Sequence, residues 1–195
     1  MPFEAGLTLA RPQALASSCL KYVDEISADL ARVAIRRARL TEAAAIGAVF
    51  DAAVRDGWRF FGALVDTPMF GDEGWHELVA DHAPPNALFV AVDGTGRVGG
   101  YCAVHPADGE MHLLFVHPEW SGRGVGRALL AAGHDVLRAS GCVEAFLFTQ
   151  DENGPALRFY AAAGYRPDGT TRESEFRGRP VREVRLIAPL TTTRR

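Results

Sequence analysis

The sequence predicts an α/β (α+β) domain on a mixed central sheet of about six to seven strands, antiparallel in its first half. Three observations predict it. First, apolar runs at residues 87–92, 98–105 and 111–116 are separated by the hairpin signal Asp93-Gly94-Thr95-Gly96 and by Asp108-Gly109, so three strands follow with reversals between them. Second, the run 111–116 is stopped by Pro118, which has no N–H for a ladder. It leads through Gly122, Gly124 and Gly126 into Val125, Leu129, Leu130 and Ala132 at helical spacing. Third, that helix, placed at residues 128–140, stops at Gly141, and a further apolar run follows at residues 143–148. Two strands flanking a helix pair in parallel through a crossover.

At 195 residues, with 48% hydrophobic and 9% aromatic content, the chain suffices for one domain with a sizeable core. Residues 32–190 are assigned to the domain, 1–31 to an appendage that is helical or partly disordered, and 191–195 to a frayed tail. A net charge of −3 implies no nucleic-acid-binding field. No apolar run is long enough to span a bilayer, so no membrane partner is expected. Cys19, Cys102 and Cys142 are scattered and odd in number, which points to a reducing, cytoplasmic compartment and to neither a disulfide framework nor a metal site. Ala16-Ser17-Ser18-Cys19 resembles a lipoprotein cleavage site but lacks a basic start and an apolar stretch before it.

The remaining elements follow in order. Residues 33–39 form a first strand. Thr41 caps a helix with Glu42 in its first turn, and Ala45, Ile46, Val49, Phe50 and Ala53 mark its buried face. Trp58, Phe60 and Phe61 form an aromatic cluster outside any clear period, which suits core or pocket lining. Residues 72–79 form a second helix that ends before Pro84-Pro85. Asn153 and Pro155 open a later helix that Gly164 ends, with Leu157, Tyr160 and Ala161 near one face. Strands at residues 164–167 and 181–187 complete the sheet, joined by a polar connection over 170–180.

The glycine turn carries the chemistry. A strand, a glycine turn and a helix start leave bare N–H groups at a helix N-terminus, where they and the helix dipole attract an anion, most often a phosphate. Arg123 and Arg127 add positive charge. A nucleotide P-loop would need Lys-Ser/Thr after the last glycine, where Arg127-Ala128 stands. A dinucleotide turn would need G-x-G-x-x-G, and the spacing here is G-x-G-x-G. A coenzyme A pyrophosphate cradle is the third option.

Here the chain resembles the GCN5-related N-acetyltransferase superfamily. The superfamily's central motif is a strand, V-x-P, a turn R/Q-x-x-G-x-G/A and a helix. This chain has Val116-His117-Pro118, then Ser121-Gly122-Arg123-Gly124-Val125-Gly126, then Arg127-Ala128-Leu129-Leu130, with Ser121 where the superfamily has Arg or Gln. A second motif, N-x-x-A-x-x-F-Y-x-x-x-G-F/Y, is matched by Asn153, Ala156, Phe159, Tyr160, Gly164 and Tyr165. The resemblance spans residues 33 to about 188. It implies helices on both faces of the sheet and a parallel strand pair splayed at a cofactor slot.

It also implies acetyl-CoA as the cofactor and transfer of an acetyl group to a primary amine of a small molecule or peptide. On that basis the amides of Arg123, Gly124, Val125, Gly126, Arg127 and Ala128 receive the pyrophosphate. Phe115, Val116 and His117 offer a strand edge to the pantetheine arm. Asn153 contacts the cofactor or simply caps its helix. Tyr160 is the candidate acid that protonates sulfur. Trp58, Phe60 and Phe61 are candidate acceptor contacts. The Glu that N-terminal acetyltransferases of the superfamily carry before the second motif is replaced by Phe148, so Glu110 and His112 are the candidate bases. Strand alternation puts those two on one side unless a bulge intervenes. A homodimer is a candidate assembly by the same resemblance. A non-catalytic acyl-CoA-binding module is the alternative function, and a nucleotide-binding α/β protein a third.

Overall fold

The computed structural model describes residues 33–190. The expectations for residues 1–31 and 191–195, and for Cys19, lie outside the described residues. Seven strands there form one sheet in the order β1-β2-β3-β4-β5-β7-β6. They are β1 (Ala34–Arg37), β2 (Ala87–Val92), β3 (Val98–His105), β4 (Glu110–Val116), β5 (Glu144–Gln150), β6 (Arg166–Phe176) and β7 (Arg179–Pro189). Four α-helices accompany them: α1 (Ala43–Gly57), α2 (Asp72–Asp81), α3 (Val125–Ala139) and α4 (Gly154–Ala162). Neighbouring strands are antiparallel except β4 and β5, which run parallel.

β3 is buried along nearly its whole length because both faces are covered. Alternation sends Tyr101 and Ala103 into the core under α1 and α2, and Cys102 and Val104 into the core under α3 and α4. The α3 side is anchored by Leu129 and Leu137, both fully buried. Each such leucine is worth about 1.5–3 kcal/mol of apolar burial. Gly133 lets α3 lie close on the sheet, since a Cβ there would stand 2.6 Å from the Met111 methyl carbon.

Four local expectations are corrected. Thr41 does not cap α1. It lies inside a short 3-10 turn, Leu40–Glu42. α1 carries no side-chain cap; the Glu42 carboxylate closes the 3-10 turn instead, accepting the Arg39 N–H at 2.8 Å and pairing with Arg36 at 2.5 Å. On α1, Ala45 is exposed while Ala43, Gly47 and Val54 complete the buried face. On α4, Ala161 is exposed and Tyr160 is the buried residue.

The connection expected over 170–180 is instead a long hairpin. β6 and β7 turn at Arg177 (φ 53°) and Gly178 (φ 80°), both left-handed as a two-residue hairpin turn requires. β6 is an edge strand exposed along most of its length, so no apolar alternation betrays it. Its pairing is held instead by charge, with Arg172 on Glu183 at 2.5 Å and the Arg185 Nε on Asp168 at 2.7 Å.

Candidate active site

The sheet opens between β4 and β5. Only one position is paired across them, Glu110 with Phe146. Beyond it the two strands diverge, leaving the far edge of β4 without a ladder partner. The His117 N–H bonds the Gly99 carbonyl at 2.9 Å and so points toward β3. Backbone groups alternate sides along a strand, so Val116 and Leu114 face the gap. His117 is therefore not part of the open edge. Its Nδ1 accepts the Glu119 N–H at 3.3 Å and stops the strand at a 3-10 turn, Pro118–Trp120.

At the end of the gap stands the N-terminus of α3. Gly122 (φ 74°) and Gly124 (φ 83°) take left-handed conformations that only glycine adopts without strain. A Cβ at either would meet nothing within 4 Å, so the ground in front of the helix is open. The first amide of the helical ladder is that of Ala128, bonded to the Gly124 carbonyl at 3.0 Å. Ala128 is therefore not a free donor. Among the described residues the amides of Val125, Gly126 and Arg127 have no backbone partner, as the first turn of a helix requires. Arg123 and Arg127 are exposed beside them.

Two cavities meet beside β4. One, of about 540 Å³, runs from Gly122, Gly124, Gly126 and Arg127 past Leu114, Phe115 and Val116 to α4. The other, of about 320 Å³, lies on the α1 and α2 side and reaches Glu110, His112 and Tyr101. Both are lined by Trp58, Leu114, Phe115, Asn153, Ala156 and Tyr160. Asn153 is buried and its Oδ1 accepts the Ala156 N–H at 3.2 Å, which caps α4. Burial raises the Tyr160 hydroxyl above the usual phenol range, with Cys102 adding to the shift, so it stays protonated at neutral pH.

Of the three aromatics expected at the acceptor site, Trp58 lines both cavities and the other two line neither. Phe61 is a core residue, with its ring centroid 4.5 Å from Phe176, and Phe60 packs on it at 4.6 Å. A 3-10 segment, Arg59–Val65, turns them toward the core against β6 and β7.

A bulge does intervene at His112. Val104 pairs with Met111 and Ala103 with Leu113, leaving His112 as the extra residue. Met111 consequently joins the α3 core while Leu113 and Phe115 join the α1 core. Glu110 and His112 nonetheless share a side, with the His112 Nδ1 3.6 Å from Glu110 Oε2. The Glu110 carboxyl is held below its usual range by its bond to His112, against the opposing effect of burial.

Three features of the second cavity carry no signal in the sequence. Tyr101 is fully buried, and its hydroxyl is the buried side-chain polar atom without a partner among the described residues. The Arg172–Glu183 pair closes the β6–β7 wall, with the guanidinium 3.9 Å from the Phe148 ring centroid. His105 and His82 stack behind His112. Each comes from a different element, so linear spacing does not reveal the grouping.

The splayed parallel pair with a bare helix N-terminus at its mouth matches the cofactor slot that the resemblance implies. A family model for the acetyltransferase (GNAT) family matches residues 50–165. The chain belongs to that family. It is similar to the mycothiol acetyltransferase of Clavibacter michiganensis subsp. michiganensis, 40% identical over 84 residues that make up 42% of this chain and 28% of that enzyme. The chain thus matches less than a third of that relative's length. Among solved structures it shares its fold with a GCN5-related N-acetyltransferase from Rhodopseudomonas palustris (TM-score 0.62, 21% identity, 81% of this chain and 96% of that one). It shares it also with yncA of Salmonella typhimurium, solved with its cofactor acetyl-CoA (TM-score 0.63, 17% identity, 84% and 97%). No helix of the described residues is long and apolar enough to cross a membrane.

Proposed function

We propose that this protein is an acetyl-CoA-dependent N-acetyltransferase that moves the acetyl group directly to a primary amine on a small molecule or peptide. The observation that carries the reading is the meeting of two cavities at Tyr160 and Phe115, one ending at bare amides and the other at a carboxylate. Acetyl-CoA would supply the activated acyl group as a thioester. The cleft suits it: two left-handed glycines leave room for a diphosphate before three unpartnered amides. Val125, Gly126 and Arg127 would hold that diphosphate, with Arg123 and Arg127 adding charge. The unladdered edge at Leu114 and Val116 would take the peptide-like arm. Asn153, its Oδ1 engaged by Ala156, keeps its amide N–H groups for the cleft.

Two proton movements remain. The departing thiolate needs a proton, and the Tyr160 hydroxyl stands protonated where the cavities join. The incoming amine must lose one. Glu110 is ionised and both its imidazole contacts use Oε2, which leaves Oε1 for the acceptor. A carboxylate held below its usual range attracts an ammonium better than it strips one, so Glu110 holds the amine and the proton passes to water beside it.

The test is calorimetry with acetyl-CoA together with thiol release across a panel of amines. The local similarity to mycothiol acetyltransferase makes that enzyme's acceptor the first member of the panel. Tyr160→Phe is expected to slow turnover by about 10²-fold with acetyl-CoA affinity kept within about twofold. Unchanged turnover would remove Tyr160 from the mechanism. Binding without turnover across the whole panel would leave an acyl-CoA-binding module instead.

A further inference from the structure

Three histidines from three elements converge behind the wall of the second cavity, which His112 alone of them lines. His82 follows the end of α2, His105 ends β3, and His112 is the bulge residue of β4. One nitrogen from each lies within 4.8 Å of the other two. The His82 and His105 Nε2 atoms are 3.1 Å apart.

The proton inventory of this cluster is informative. His82 Nδ1 is 2.7 Å from the Leu78 carbonyl, which can only accept, so His82 carries its proton on Nδ1 and a lone pair on Nε2. His105 Nδ1 is 3.4 Å from the Glu110 carboxylate, also an acceptor, which favours a proton on that nitrogen too. Two Nε2 lone pairs then face each other at 3.1 Å, an arrangement that calls for a positive centre between them. Tetrahedral zinc with Zn–N distances of about 2.0–2.1 Å sets ligand nitrogens about 3.3 Å apart. The outer partners are also those a metal-bound imidazole takes, a backbone carbonyl on one ring and a carboxylate on the other.

We propose that His82, His105 and His112 form a binding site for a divalent transition cation of the zinc class, with Leu78 and Glu110 orienting the rings from behind. His82 and His105 bind through Nε2. His112, the most exposed of the three and set on a bulge, swings in to complete the set. His112 and Glu110 both line the acceptor cavity, so the remaining coordination position opens toward it. The cation would pin the end of α2 to the β3–β4 hairpin and stiffen that wall. The site rests on the side chains themselves and does not depend on the acetyl-transfer reading.

The experiment uses Zn²⁺ and Co²⁺ with the full chain after chelator treatment. His82→Asn and His105→Asn each keep a nitrogen near the Nδ1 place, for Leu78 or Glu110, and remove the Nε2 ligand. Wild type is expected to bind one equivalent of Zn²⁺, to raise its Tm on binding, and to give visible Co²⁺ bands of tetrahedral intensity. Each variant should stay folded, bind Zn²⁺ at least about 100-fold more weakly and lose the Co²⁺ bands. Wild type failing to bind a stoichiometric equivalent, or binding equal in wild type and both folded variants, would overturn the site.

Discussion

The two sides of the sheet are built by different means. On the α3 and α4 side, the cleft is shaped by backbone: left-handed glycines, first-turn amides and an unpaired strand edge. On the α1 and α2 side, the cavity is shaped by side chains: Trp58, Trp75, Tyr101, Glu110 and His112. A backbone-built cleft suits a ligand that stays the same, since it constrains few side chains. A side-chain-built cavity can be re-lined by single substitutions, which suits a variable acceptor. β4 serves both: alternation sends Leu114 and Val116 to one core and Leu113 and Phe115 to the other, and the bulge at His112 moves Met111 to the α3 side.

The comparison can be broken by substitution. The largest expected effect is at Phe61. If its ring is core, Phe61→Ala should lower stability by about 3–5 kcal/mol in denaturant melts. Activity per folded molecule should change little. A stable variant with a raised acceptor KM would return Phe61 to the acceptor site. Next comes Gly124→Ala, which places a Cβ on a left-handed backbone without a steric neighbour. It should destabilise by about 1–2 kcal/mol and weaken acetyl-CoA binding by about tenfold while leaving acceptor KM unchanged. A shift in acceptor KM alone would contradict the division of labour between the two sides.

The smallest effect concerns pH. His134, on α3, has its Nε2 2.7 Å from the Tyr165 hydroxyl. Burial, then Arg138, holds its pKa below the usual 6.5, with Asp135 opposing. The unfolded chain therefore takes up the proton first. The native advantage is intact above the unfolded value and is lost as pH falls through the folded one. His134→Gln removes that loss, so the Tm difference, wild type minus variant, should shrink between about pH 7.5 and about pH 5.5. A difference that stays constant would show that His134 does not titrate with folding.

Legibility followed the same division. The α3 cleft could be read because glycine, proline and an apolar period have local meanings: Pro118 ends the strand, Gly124 opens the helix, Gly141 closes it. The parallel junction followed from connection rules alone. The α1 side was less legible because its features are long-range. Thr41 is drawn into a 3-10 turn that Glu42 closes, and Glu42 is held there by its pairing with Arg36 in β1. Phe61 turns inward because Phe176, far along the chain, stands ready to pack on it. β6 is an edge strand whose pairing is carried by charge, so it left no alternation to find. Ala128 lies one residue past the free amides, a boundary that only its bond to Gly124 reveals.

The central claim is that the bare amides at the front of α3 receive the diphosphate of acetyl-CoA. Backbone amide NMR during titration with coenzyme A tests it most directly. The largest shifts are expected at Gly122, Gly124, Val125, Gly126 and Arg127, with the amides of α2 nearly still. Saturable binding that leaves residues 122–127 unmoved and shifts another surface would contradict it.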